Sequence, residues 1–192
     1  FLCLQNGVEN EDVLKTYLGP DRDIYGTVTT AIGKSGPGAI KVEKLRGVGV
    51  ETNHPLSTKI INSFEKAGLM PIGYAQPSSM KWSKMLTNLL SNASSAILNM
   101  SASEVFGHPD LFQIETEQIK EALKVMDSLK IPVSNLPGTP VKALAWAIKT
   151  LPGFLSQPIL QQAVGKGRGD KLPSFHIDLH SGRGKIEVDY LN

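Results

Sequence analysis

The amino-acid sequence predicts an α/β segment followed by an all-α segment, on three observations. Residues 1 to about 77 mix short runs rich in Val, Ile and Thr with turns built on Gly and Pro. From Ser78 onward, apolar residues recur at intervals of three and four, the period of amphipathic helices. The change of texture falls at Gln76-Pro77, which divides the chain into domains at 1–77 and 78–192.

Taken in order, Phe1-Leu2-Cys3-Leu4 reads as the tail of a buried strand running into the turn Gln5-Asn6-Gly7. Asn10 to Leu18 carries Val13, Leu14, Tyr17 and Leu18 at helical spacing and is closed by Gly19-Pro20. Ile24 to Gly33 reads as one strand, Lys34 to Gly38 as a turn, and Ala39 to Leu45 as the returning strand. Gly47 to Val50 is a further short strand. Ser57 is placed to N-cap a helix through Ala67 with the face Ile60, Ile61 and Phe64, and Met70 to Tyr74 follows as a strand. In the second part, Trp82, Met85, Leu86, Leu89, Ala93, Ala96 and Ile97 form one apolar stripe over four helical turns. Further helices are expected over Glu117–Leu129, Val141–Thr150 and Pro158–Val164. A loop is expected over Gly165–Lys171, with Pro173 opening another element.

The bulk composition excludes several classes. A chain of 192 residues can bury a real core, and 41% hydrophobic with 20% charged residues is ordinary for a soluble globular protein. A net charge of +2 supplies no concentrated basic face for nucleic acid. The one cysteine, Cys3, cannot form an internal disulfide, which fits a reducing, cytoplasmic compartment. No run approaches the roughly 18 apolar residues a membrane span needs. The chain starts inside a strand pattern and ends at Asp189-Tyr190-Leu191-Asn192 without a stop signal, so it reads as a piece of a longer protein.

Three stretches carry functional groups. Lys84, Asn88 and Asn92 stand four residues apart, and at about 100° per residue each step turns only about 40°, so a continuous helix shows them on one face. An ammonium and two amides there can converge on a polar ligand, although the same spacing also fits a solvated face. The Asn6-Gly7 turn sits at the carboxyl end of a strand, where open α/β sheets bind ligands. Pro173 to Tyr190 is rich in polar groups without a clean period. His176 and His180 within it lack a clear third ligand, and no metal is expected.

In this order, Leu-Gln-Asn-Gly at 4–7, Trp-x-Lys-x-x-x-Asn-x-x-x-Asn at 82–92, Pro-Ser-x-x-x-Asp at 173–178 with Gly-Arg at 182–183, and Glu-x-Asp-Tyr-x-Asn at 187–192 resemble the ketopantoate reductase family. The resemblance covers nearly all of the chain. It implies the distal part of a Rossmann-type NADP-binding domain over 1–77. A helical, 6-phosphogluconate-dehydrogenase-like substrate and catalytic domain follows over 78–192, with the active site in the cleft between them. It implies NADPH-dependent reduction of 2-dehydropantoate to pantoate, in pantothenate and coenzyme A biosynthesis. Lys84 matches the catalytic lysine. Asn88, Asn92 and Ser174 match substrate-binding residues, and Asn6 matches a residue touching cofactor and substrate. Ile32 matches a backbone contact to the cofactor. Glu187 matches an acidic residue near the nicotinamide ribose that helps fix the lysine.

The departures are specific. The chain holds no Gly-x-Gly-x-x-Gly, the turn that seats a pyrophosphate on a helix N-terminus. Two further substrate-binding asparagines of the family fall at Ala102 and Lys171, and the stretch from Arg183 to Glu187 is one residue longer. A reductase of another 2-keto acid, or a non-catalytic helical interaction or dimerisation module, therefore stand beside the leading reading. The partner is a small 2-keto acid, with NADP(H) as cofactor, and a homodimer is the assembly this reading carries.

Overall fold

The computed structural model describes residues 1–168 and 172–180. By packing, the chain forms two compact units: Phe1–Lys84 with Val133–Val141, and Met85–Pro132 with the chain from Lys142 onward.

The first unit is built on a mixed four-stranded sheet. Strands β1 (Leu2–Cys3), β2 (Ile24–Val28), β5 (Val48–Glu51) and β6 (Pro71–Tyr74) lie in the order β1-β2-β5-β6. β1 and β2 are parallel, β2 and β5 antiparallel, and β5 and β6 parallel. Alternation along β5 sorts its residues onto two faces. Val48 and Val50 join Ile24 in a core covered by Ile60, Ile61 and Phe64 of α2 (Ser57–Lys66), as the helical spacing predicts. On the other face Gly49 makes room for α3 (Pro77–Leu89), because a Cβ at Gly49 would come within 2.6 Å of Met80 Sδ.

Several elements differ from the expectations. Ile24 to Gly33 is two strands. β2 stops at Val28, and β3 (Ala31–Gly36) pairs instead with β4 (Ala39–Lys44) in a separate two-stranded hairpin. The break comes where side chains replace the ladder. The Thr29 hydroxyl donates to Pro137 O at 2.8 Å, and the Thr30 hydroxyl accepts from Gly47 N at 3.0 Å. Ser57 is the first helical residue rather than the cap, which is Leu56. Helix α1 (Asn10–Leu18) forms as expected, but its face is rotated: Val13 is 55% and Tyr17 83% exposed, while Glu11 is wholly buried.

Residues 133–141 belong with this sheet. Ser134 N donates to Ser83 Oγ at 2.8 Å, and the Tyr74 hydroxyl donates to Asn135 O at 2.8 Å. Burial pushes the Tyr74 phenol up to about 12.

The second unit is helical among its described residues. It contains α4 (Asn92–Leu98), α5 (Ala102–Gly107), α6 (Pro109–Ser128), α7 (Val141–Thr150, from its second residue), α8 (Gly153–Arg168) and α9 (Ser174–His180), with the end of α3. α5 was not legible from periodicity, being short. It rests on a capping box, with Ser101 Oγ accepting from Glu104 N and Glu104 Oε2 accepting from Ser101 N. α6 begins at Pro109, ahead of the expected Glu117, because Pro is well placed in a first turn. Its buried stripe of Phe112, Thr116, Ile119, Leu123 and Met126 meets Phe106 of α5 edge-on, with ring centroids of Phe106 and Phe112 5.9 Å apart. α8 starts at Gly153, five residues before Pro158, and continues through Arg168, so the predicted loop start at Gly165 is helical. α5 packs on α6 and α8, and α4 on α9. No helix among the described residues is long and apolar enough to cross a membrane.

The largest correction concerns the stripe from Trp82 to Ile97. It is two helices, α3 ending at Leu89 and α4 starting at Asn92, with Ser91 between them in the left-handed region at φ 53°. A carboxylate sets the break: Glu115 of α6 accepts from Ser91 N at 2.5 Å and from Ser94 Oγ at 2.6 Å. The single-face geometry therefore holds from Lys84 to Asn88 but does not extend to Asn92.

Candidate active site

In the first unit the site builds outward from the carboxyl end of β1. Pairing with β2 ends at Cys3↔Tyr25, and the chain turns through Gln5-Asn6-Gly7. Gly7 takes φ +104°, and a Cβ there would lie 2.8 Å from Asn10 Nδ2, so the position requires glycine. The Asn10 amide closes the turn by donating to Asn6 O. The Asn6 side chain is left exposed.

Beneath this turn lies an ion pair that sequence reading missed. Lys81, 2% exposed, places Nζ 2.8 Å from Glu11 Oε1, and Glu11 is 0% exposed. The same nitrogen donates to Gln5 O at 2.8 Å and to Gly26 O at 3.4 Å. The ammonium thus donates to two carbonyls, and the Glu11 carboxylate balances its charge as an ion pair. That arrangement offsets the several kcal/mol that burying an unpaired charge costs. Cys3 lies against the same pair; burial, and then the carboxylate of Glu11, push its thiol up. The one signal in the sequence was a lysine flanked by Met80 and Trp82 at the start of an apolar stripe.

Lys84 is half-buried on α3, three residues after Lys81. Three residues advance a helix about 4.5 Å and turn it about 300°, so Lys84 occupies the adjoining face one turn on. Asn88 follows on α3 at a spacing of four and is also half-buried. Ile32 lies on β3, 44% exposed and opposite Val42, in the hairpin outside the four-stranded sheet.

In the second unit, Asn92 is the first residue of α4 and 4% exposed. Glu115 holds the backbone on both sides of it through Ser91 and Ser94. Glu115 had a legible signal, since it stands on the apolar phase of α6, three after Phe112 and four before Ile119. Ser174 opens α9 directly after Pro173. α9 is tied to α4 by its two histidines. His176 Nδ1 lies 3.0 Å from Ser95 Oγ, and His180 Nε2 lies 3.2 Å from Ala96 O. Ser95 gives its one proton to Met100 O at 2.5 Å, so His176 Nδ1 carries the hydrogen in the bond to Ser95. These histidines bind helices together. Among the described residues no group of three or more His, Cys, Asp or Glu could hold a metal. Ala102 is buried at 1% as the first residue of α5. Glu187 and Lys171 lie outside the described residues.

Within one unit, then, the turn of Asn6 and the helix of Lys84 are joined through Lys81. Within the other, the helices of Asn92 and Ser174 are joined through His176 and His180. Two family models match most of the chain. The ketopantoate reductase PanE/ApbA model matches residues 1–52, and the ketopantoate reductase PanE/ApbA C-terminal model matches residues 78–192. The chain belongs to the ketopantoate reductase family.

Similar proteins agree with that membership. A 2-dehydropantoate 2-reductase of Streptococcus pyogenes serotype M6 is 21% identical over 195 residues, covering 100% of this chain and 57% of its own length. A PanE/ApbA family ketopantoate reductase from Ralstonia eutropha superposes with a TM-score of 0.77 at 19% identity, over 99% of this chain and 56% of that one. D-mandelate dehydrogenase in complex with NADH superposes at 0.74 and 19% identity, over 99% of this chain and 59% of its own. At that identity the structural likeness establishes the fold: the distal part of a Rossmann-like domain, then a helical domain. This ketopantoate reductase family chain spans somewhat over half the length of its curated relatives.

Proposed function

We propose that the full-length protein is a cytoplasmic, NADPH-dependent reductase that converts 2-dehydropantoate to pantoate. In this reading residues 1–77 belong to the nucleotide-binding domain and 78–192 to the substrate and catalytic domain. The observation that carries it is the match of residues 78–192 to the ketopantoate reductase C-terminal model, in which Lys84 falls on the Trp-x-Lys motif that resembles the family's catalytic lysine. Lys81 on the same helix is buried in an ion pair with Glu11, whereas Lys84 one turn later is half-buried, and the acid role is assigned to Lys84.

The chain's own groups suit the nicotinamide end of the cofactor, with an exposed Asn6 on a glycine turn at the carboxyl end of a parallel strand. They do not include a pyrophosphate turn. The nicotinamide, when bound, supplies a hydride to C2 of the keto acid. Lys84 then gives a proton to the carbonyl oxygen, yielding the 2-hydroxy acid, and recovers its proton from water. A lysine of reference pKa about 10.4 is charged at neutral pH and suits this work. An ammonium 4 Å from a developing alkoxide is worth about 4 kcal/mol at an effective dielectric of about 20, on the order of a thousandfold in rate. A neutral amide contributes about 1 kcal/mol, so Asn88 and Asn92 act in holding substrate. Ser174 receives the substrate carboxylate. Ile32 contacts the cofactor through its backbone, and Glu187 fixes the lysine near the ribose.

In the full-length protein, Lys84→Ala is expected to lower kcat by about 10²–10⁴ while circular dichroism and melting temperature stay unchanged. Near-normal turnover by that variant would remove Lys84 as the acid.

A second reading, reduction of a different 2-keto acid, is favoured by Ala102. Its buried methyl cannot offer the amide that the family places there. Comparing kcat/KM for 2-dehydropantoate against phenylglyoxylate and branched aliphatic 2-keto acids separates the two readings. A ratio favouring another acid by tenfold or more would displace 2-dehydropantoate.

A further inference from the structure

We propose that Lys81, together with Glu11, is a positioning residue of the reaction, holding the Asn6 turn and the helix of Lys84 in one fixed arrangement. This rests on the function proposed above. The three partners of Lys81 come from three different places. Glu11 Oε1 belongs to α1, Gly26 O to β2, and Gln5 O to the peptide just before Asn6. The β1–β2 ladder ends at Cys3↔Tyr25, so Lys81 takes over the alignment of the main chain where strand pairing stops.

Stability alone gives no reason for a charge here. A buried ion pair is often no more stabilising than well-packed apolar side chains of similar size. What apolar side chains cannot supply is direction. Two hydrogen bonds and an ion pair from one nitrogen fix the height and rotation of α3 relative to Gln5. Lys84 sits on the next turn of that helix, about 4.5 Å further along its axis. The Asn6 side chain hangs from the peptide that Lys81 grips. Reaction geometry is sensitive at this scale, since a misplacement of about 1 Å can cost a hundredfold in rate.

The decisive variants are Lys81→Met and the double variant Lys81→Met/Glu11→Leu, made in the full-length protein. The double variant leaves no uncompensated charge, so its melting temperature is expected within about 3 °C of the parent, the equivalent of about 1 kcal/mol. Its kcat for 2-keto acid reduction is nevertheless expected to fall about 10–100-fold. Amide hydrogen exchange at Asn6 and Gly7 should accelerate at least tenfold. A double variant with parental kcat and parental exchange at Asn6 and Gly7 would overturn the proposal. Should Lys81→Met alone fail to fold, the double variant still decides. If the parent protein reduces no 2-keto acid, the proposed function falls by itself. The exchange rates then remain the test, and unchanged rates overturn the positioning role.

Discussion

Lys81 Nζ and Glu11 Oε1 are 2.8 Å apart, with the two side chains 2% and 0% exposed. Removing one partner strands the other charge in the interior. Lys81→Met is expected to destabilise the first unit by about 3–5 kcal/mol, and adding Glu11→Leu to recover most of that loss. Urea unfolding of the two variants measures this. Additive losses in the double variant would show that the pair does not behave as a unit.

Glu115 is the corresponding group in the helical unit, accepting from Ser91 N at 2.5 Å and Ser94 Oγ at 2.6 Å. Hydrogen bonds to charged groups contribute about 1.5–3 kcal/mol each, so Glu115→Ala is expected to cost about 2–4 kcal/mol. Glu115→Gln keeps one acceptor oxygen and should cost about half as much. Amide exchange at Ser91 should rise in both. Equal stability of the Ala and Gln variants would sink the capping role.

Cys3 is buried at 6% exposure, and its thiol is raised first by burial and then by the Glu11 carboxylate. Thiolate is the reactive form, so iodoacetamide at pH 8 should label native Cys3 far more slowly than the urea-unfolded chain. Lys81→Met withdraws the cation that opposes Glu11, and so slows labelling further while the fold holds. Rapid native labelling would contradict the environment described.

Glu104 is held below the usual carboxylate range by the Ser101 hydroxyl and then by the Ser101 N–H. Its folded pKa is depressed, so its stabilising contribution is present above the unfolded value near 4.5 and disappears as pH falls through the lower folded value. Ser101→Ala should cost about 1 kcal/mol at pH 7. The penalty should shrink below about pH 4, where Glu104 is protonated in both states. A penalty independent of pH between 7 and 3 would show that the capping box does not depend on the carboxylate.

How far the sequence could be read follows the range of the interactions involved. α1 closes at Gly19, α7 has its predicted ends, and α2 presents Ile60, Ile61 and Phe64, because periodicity and turn chemistry are local. The Ile24–Gly33 and Trp82–Ile97 runs are continuous in sequence pattern but broken in the structure. In each, a distant group interrupts the element: Pro137 and Gly47 at Thr29 and Thr30, Glu115 at Ser91. Lys84, Asn88, Asn92 and Ser174 could be named as candidates because they stand in short spaced motifs that resemble the family's. The partnerships of Lys81, Glu11 and Glu115 could not, since each has its partners 21 or more positions away.

The sequence by itself determined the class of the molecule: an α/β segment then helices, and the kinship to ketopantoate reductases. Only the tertiary structure decided which charges are interior. Periodicity places Val13 and Tyr17 inward on α1, yet the buried residue is Glu11, because Lys81 arrives from α3 to neutralise it. A buried charge is favourable only with its partner in place, and partners that meet through folding leave no local trace in the order of residues.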